Sequence, residues 1–371
     1  MTAFTFILFF LSFSFSLTKY ISSEISYKFS GYHMELFFGT PPQKVKLEIN
    51  MEIDHSWVSH FNFRENSKTK EVISNNETLY FRNKRSVQAS KISDKTVIIE
   101  NEDRNITIDF ILYHLNYKVS LDSEAIGFAY KYKDNSMSLV HNLYRNKYID
   151  KFSFGFAIIK DQGFIYFGNL PENIIKDSYE TKIKVDNSQN KWGVKLLKIG
   201  GYYNTDYAYF NSGNELILAP YDYLSFIENV LLKDYLANKT CQRNIDESTR
   251  EYVKIYYSCD CNYIRYIKGF DLIIDGHRFE LNNEDLFTTF YRDCRFVIEH
   301  KTSYPNQWVL GAHFMRKYKI LFDYEESTIT FYTDKPLKKN YYSTIVSIYI
   351  FISITMLLIS LIMCITKKAH C

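Results

Sequence analysis

Phe38-Gly39-Thr40-Pro41-Pro42-Gln43 leads into the alternating run Lys44-Val45-Lys46-Leu47-Glu48-Ile49, then Asn50-Met51-Glu52-Ile53, and reaches Trp57-Val58 a few residues later. Alternation of this kind marks a half-buried strand, here entered through a Gly/Pro turn. A second stretch has a related grammar: Tyr209-Phe210-Asn211-Ser212-Gly213-Asn214, followed by an apolar run ending at Pro220. In each, a strand delivers an Asn into a loop.

Composition agrees with a β-rich chain. The 371 residues hold 32 Tyr, 30 Phe, only 13 Gly and 6 Pro. Aromatic and β-branched runs such as Thr96-Val97-Ile98-Ile99 and Thr328-Ile329-Thr330-Phe331-Tyr332 favour strands. The length supports two lobes, each with its own core. A net charge of +3 gives no reason to expect a nucleic-acid partner.

The two loops resemble those of the pepsin-like aspartic proteases, in which each lobe contributes an Asp-Thr-Gly-Ser/Thr motif. The register is set by fixed anchors. The family's aspartate stands seven residues after the Gln of the Gly-Thr-Pro-Pro-Gln turn and seven before the Trp of the Trp-Val pair; both counts give Asn50. In the second loop it stands nine before the Pro, which gives Asn211. Asp54 fits neither anchor. Apolar-apolar-Gly segments at Ala125-Ile126-Gly127 and Trp308-Val309-Leu310-Gly311, the Phe152–Phe156 and Gly163–Asn169 pair, Trp192 with Val194, Leu196 and Ile199, and Phe314–Asp323 extend the resemblance over residues 30–335.

The resemblance implies an all-β, bilobal pepsin-like fold with a first lobe over 30–172, starting in a strand near Tyr32, and a second over 173–336. It also implies a chemistry that the residues cannot perform. Aspartic proteases depend on two carboxylates that share one proton, and an amide has no such proton to exchange. No catalytic residue is therefore expected at the degenerate dyad Asn50 and Asn211. The first loop departs further, because Met51 replaces the Thr whose hydroxyl braces the loops and Glu52 replaces the Gly. The second keeps Ser212 and Gly213. The flap corresponds to Leu79–Val87, with Tyr80 or Phe81 standing in for its Tyr and no Gly at the tip.

The expected function is a non-catalytic ectodomain binding a peptide or protein partner through the former cleft. The alternatives are an active aspartic endopeptidase recruiting Glu52 or Asp54, and a structural or adhesive surface protein. No cofactor and no metal is expected: His55 and the other histidines lack ligand spacing, and Ser56 and Ser212 lack a His/Asp arrangement.

Residues 4–17 are apolar and read as part of a signal peptide, 1–18; an uncleaved anchor is the rival. Thr344–Ile365 gives 22 uncharged residues, enough to cross a bilayer, followed by a tail at 366–371. This predicts a single-pass type I membrane protein of the secretory pathway or cell surface. Cys241, Cys259, Cys261 and Cys294 all fall in the second lobe, and an even count in an oxidising compartment predicts two disulfides among three possible pairings. A zinc site at Cys259-Asp260-Cys261 is the weaker reading, given one intervening residue and no second pair. The family resemblance implies Cys259–Cys294 and Cys241–Cys261. Asn76, Asn105 and Asn238 head glycosylation sequons.

Overall fold

The computed structural model describes residues 19–28, 31–59, 67–80, 86–101, 104–115, 124–160, 162–203, 207–249, 252–290, 293–304, 306–339 and 355–356. The expected signal peptide, the candidate span apart from residues 355 and 356, the tail and Phe81 lie outside them. Among the described residues no helix is long and apolar enough to cross a membrane.

The first strands are β1 (Ile21–Lys28), β2 (Gly31–Phe38), β3 (Gln43–Asn50), β4 (Trp57–Ser59), β5 (Glu71–Tyr80), β6 (Ser86–Asn101), β7 (Arg104–Leu115), β8 (Ala125–Gly127), β9 (Ser153–Ile159), β10 (Gln162–Phe167) and β11 (Tyr179–Lys184). They are followed by β12 (Gly193–Ile199), β13 (Tyr202–Tyr203), β14 (Tyr207–Phe210), β15 (Ile217–Leu218), β16 (Cys241–Thr249), β17 (Tyr252–Cys259), β18 (Phe270–Ile274) and β19 (His277–Leu281). The last are β20 (Phe287–Phe290), β21 (Asp293–Phe296), β22 (Ile298–Lys301), β23 (Trp308–Leu310), β24 (Lys319–Asp323) and β25 (Thr328–Thr333).

One sheet runs β11-β25-β24-β9-β10-β1-β2-β3-β8-β4-β7-β6-β5, and the other β19-β18-β12-β14-β23-β15-β22-β17-β21-β20. β24 and β25, late in the chain, thus complete the sheet built on β9, β10 and β1, which ties the two halves together. Beginning the lobe near Tyr32 missed β1. Its signal is the buried alternation Ile21, Ser23, Ile25, a period of two that places three side chains on one face.

Trp192 locks the seam. It is fully buried, donates its Nε1–H to the Phe128 carbonyl at 2.9 Å, and packs edge-on against Phe322 and Tyr324. Burial of a large aromatic with its polar handle satisfied is a strong local anchor.

The cysteines correct the pairing drawn from the resemblance. The bonds are Cys241–Cys259 and Cys261–Cys294, with Cα separations of 4.0 and 5.1 Å. The β16–β17 hairpin sets Cys241 opposite Cys259, and β21 sets Cys294 opposite Cys259 on its other side. Cys259 can take one partner; with Cys241 bonded, Cys261 just past the strand end closes on Cys294. The loops span 18 and 33 residues. Each bridge is expected to add about 3–4 kcal/mol by constraining the unfolded chain. Non-reducing peptide mapping checks the pairing, and denaturant melts of Cys→Ser pairs check the magnitude.

The short helix Ala312–Met315 buries His313, whose Nε2 meets the Asp285 carbonyl at 2.9 Å. Burial, with Arg316 nearby, pushes the imidazole down from 6.5 to about 4. Below pH 6.5 the unfolded chain takes up a proton that the fold refuses. Stability is therefore expected to fall as pH drops from about 6.5 to about 4, and His313→Gln to flatten that fall, read by thermal melts across pH.

Candidate functional site: two amides at a pepsin-like dyad

In β3, Val45, Leu47 and Ile49 face the core, which turns Lys46, Glu48 and Asn50 to the other side. β8 runs parallel to β3 with Gly127 opposite Asn50, and the Phe128 N–H donates to the Asn50 carbonyl at 2.8 Å. The second lobe repeats the device. β14 runs parallel to β23, and the Asn211 N–H donates to the Leu310 carbonyl at 3.1 Å. A Cβ on Gly127 would stand 2.6 Å from the Ile53 and His55 carbonyls, and one on Gly311 2.6 Å from that of Asn214. The apolar-apolar-Gly signal is thus a close-approach requirement.

The loops meet. A methyl group added to Gly213 would lie 3.2 Å from Asn50 Nδ2 and 3.3 Å from Asn211 Oδ1. Each Asn Oδ1 accepts the backbone N–H two residues on, from Glu52 at 3.0 Å and from Gly213 at 3.0 Å. Asn211 Oδ1 also accepts from the Met51 N–H at 3.3 Å. Ser212 Oγ donates across to the Ile49 carbonyl at 2.7 Å. Met51, fully buried and without a hydroxyl, cannot return that bond.

The amide nitrogens point at glutamates. Asn50 Nδ2 donates to Glu48 Oε1 at 3.3 Å, and Asn211 Nδ2 to Glu52 Oε2 at 2.9 Å. Glu52 Oε2 also accepts from the Tyr304 hydroxyl at 2.7 Å, while Glu52 Oε1 lies 3.2 Å from Lys191 Nζ. That ammonium sits over the Tyr209 ring, 3.8 Å from its centroid. Glu52 is therefore an acceptor hub tying the first loop to the second lobe. Both its oxygens are engaged, one by an ammonium. These contacts also assign the amides: reversing either would set an oxygen against a carboxylate and an NH2 against an N–H.

Asp54 is occupied elsewhere. Its carboxylate meets His55 Nδ1 at 2.9 Å and accepts the Lys133 N–H at 3.4 Å, and the His55 hydrogen bond is the main cause of its lowered pKa. The segment expected to correspond to the flap falls at the end of β5 and the start of β6, which pair antiparallel with Tyr80 opposite Ser86. The sequon residues Asn76, Asn105 and Asn238 are all exposed. Sequence reading missed Glu48, Lys191 and Tyr304. Only Glu48 carried a signal, since residues two apart on a strand share a face.

The model of the eukaryotic aspartyl protease family matches residues 117–333, more than half of the chain. The chain belongs to the eukaryotic aspartyl protease family. The matched residues include Asn211 and the Trp308–Gly311 segment. No curated protein matches the sequence. Among solved structures, the crystal structure of basic 7S globulin from soybean aligns with a TM-score of 0.65 and 13% identity, covering 85% of this chain and 96% of that one. The aspartic proteinase from Irpex lacteus aligns with a TM-score of 0.64 and 11% identity, over 85% and 97%. At these identities the likeness is one of fold. Within the family's scaffold, this chain carries two amide–carboxylate pairs where the chemistry requires two carboxylates.

Proposed function

We propose that this chain is a non-catalytic aspartyl protease-fold ectodomain, anchored by residues 344–365, that binds a peptide or protein partner through its former catalytic cleft. The observation that carries the reading is the pairing of Asn50 with Glu48 and Asn211 with Glu52. Peptide hydrolysis by this fold needs one ionised and one protonated carboxyl in contact with the same water. Neither amide can serve as either. Glu52 is held by Lys191, Tyr304 and Asn211, and Asp54 by His55, so recruitment of either as a substitute base has no geometric support.

Binding through the cleft is the role left to the retained scaffold; beside Lys191 lies a small cavity of about 110 Å³ with mostly polar residues around it, lined also by Asp186, Ser188, Gln189, Tyr207, Tyr209 and Gln307. Two disulfides suit an exported chain.

The test is a peptide library offered to the purified full chain from pH 3 to pH 7, scored for both retention and cleavage. Retention of a peptide subset without cleavage is the expected result. Pepstatin-sensitive cleavage lost on Glu52→Gln would establish the recruited-carboxylate enzyme instead. Retention of nothing would leave the structural role.

A further inference from the structure

At the seam between the halves, away from the loops just described, lies a cavity of about 620 Å³ formed between β19, β24, the end of β25 and the segment after it. Its walls carry six cations, Arg278, Arg316, Lys317, Lys319, Lys335 and Lys338, against two acids, Glu280 and Asp334. Lys317 is paired with Asp285, and Arg278 with Asp271 and Glu280. Among the described residues Arg316, Lys319, Lys335 and Lys338 have no ion pair. Arg316 is exposed and rests 5.5 Å from the centroid of the Tyr27 ring, and Lys319 donates to Ser178. The groove thus presents an excess of positive charge, with the buried Tyr318 at its base and the half-buried Tyr332 at its edge.

The second observation is where the chain leaves. Leu337 packs on the core, the Arg278 N–H donates to the Lys338 carbonyl at 2.9 Å, and His277 bridges to Lys339. The exit is therefore fixed at the lip of this groove. Five residue steps lead from Lys339 to Thr344, the start of the candidate span. Fully extended, they reach about 17 Å. The headgroup layer on each side of a bilayer is itself about 6 Å deep. An anchored chain must hold this face close to the phosphates.

We propose that the groove is a phospholipid-headgroup site that seats the second lobe on the bilayer into which residues 344–365 insert. The inference rests on the anchor reading above. Arg316 offers a planar fork suited to a phosphate, and the lysines supply point charges around it. Tyr332, half-buried at the groove's edge, is the kind of residue that settles at headgroup depth. Seated this way, the ectodomain has one orientation on the membrane rather than swinging on a tether.

The experiment reconstitutes the full chain into nanodiscs of phosphatidylcholine and phosphatidylserine containing a phosphatidylethanolamine with a headgroup photocrosslinker. Crosslinked peptides are mapped by mass spectrometry. Crosslinks should concentrate on residues 277–282, 316–319 and 332–338. Reversing two exposed charges, Lys335→Glu with Lys338→Glu, should lower that yield at least about fivefold, the factor for one near-surface charge. The variant should remain in the disc and keep its melting temperature. Crosslinks equally frequent at Lys44 and Lys95, or unchanged by the reversal, overturn the seating while leaving the anchor intact. A chain that does not enter the disc overturns the anchor, and the seating with it.

Discussion

A chain carrying Glu48→Gln, Asn50→Asp, Met51→Thr, Glu52→Gly and Asn211→Asp is expected to gain pepstatin-sensitive peptide cleavage at acid pH, roughly a thousandfold above the parent's background. The parent fails for want of a shared proton, and the geometry explains why restoring two aspartates is not enough. A carboxylate at position 50 would face Glu48 across the present 3.3 Å contact, and one at position 211 would face Glu52 across 2.9 Å. Four carboxylates around one water cannot settle into the single shared proton that the mechanism needs. Removing Glu52 also returns the Gly that lets the first loop approach the second, and Met51→Thr restores the missing hydroxyl. The double Asn→Asp variant is expected to stay inactive, and the four-substitution variant that keeps Glu48 to be weaker than all five together. Single-turnover cleavage of a quenched peptide, with each variant's fold checked by circular dichroism, reads the series. A folded, inactive five-substitution chain would place the defect elsewhere in the cleft.

The scaffold was legible because its signals are local. Gly127 and Gly311 sit where carbonyls crowd, and Asn50 and Asn211 follow from counts along single strands. What escaped was long-range. Glu52 reaches Asn211 and Tyr304, 159 and 252 residues away, and Lys191, 139 away. No spacing announces such contacts. The cysteine pairing failed for a similar reason. Cys259 lies opposite both Cys241 and Cys294, so the choice between them depends on three strands meeting in register. β1 was legible and overlooked: its Ile21-Ser22-Ser23-Glu24-Ile25 alternation is short, and Ser23 is buried where an apolar residue is expected.

The two amides are also expected to be structural necessities rather than neutral losses, and Asn211→Asp tests that. The substituted side chain would place a carboxylate oxygen where Nδ2 now stands, 2.9 Å from Glu52 Oε2. Two carboxylates at that distance cannot both ionise, so the folded pair must hold one proton. Taking up that proton at pH 7, against an unfolded carboxyl near 4, costs at most about 4 kcal/mol; Lys191 offsets part of it, and about 3 kcal/mol is expected. The sign follows from the raised folded-state pKa. The folded variant binds one proton more than the unfolded chain, so the deficit is full near neutrality. It should shrink by about 1.4 kcal/mol per pH unit on acidification and vanish below about pH 4. Denaturant melts of the parent and Asn211→Asp at pH 4 and pH 7 read this directly. Adding Glu52→Gln to Asn211→Asp exchanges the two ends of the pair, and the new amide can donate to the carboxylate at position 211. That double variant should recover most of the neutral-pH stability. A deficit equally large at both pH values, and not relieved by Glu52→Gln, would mean that Asn211 acts through packing and not through its hydrogen bond to Glu52.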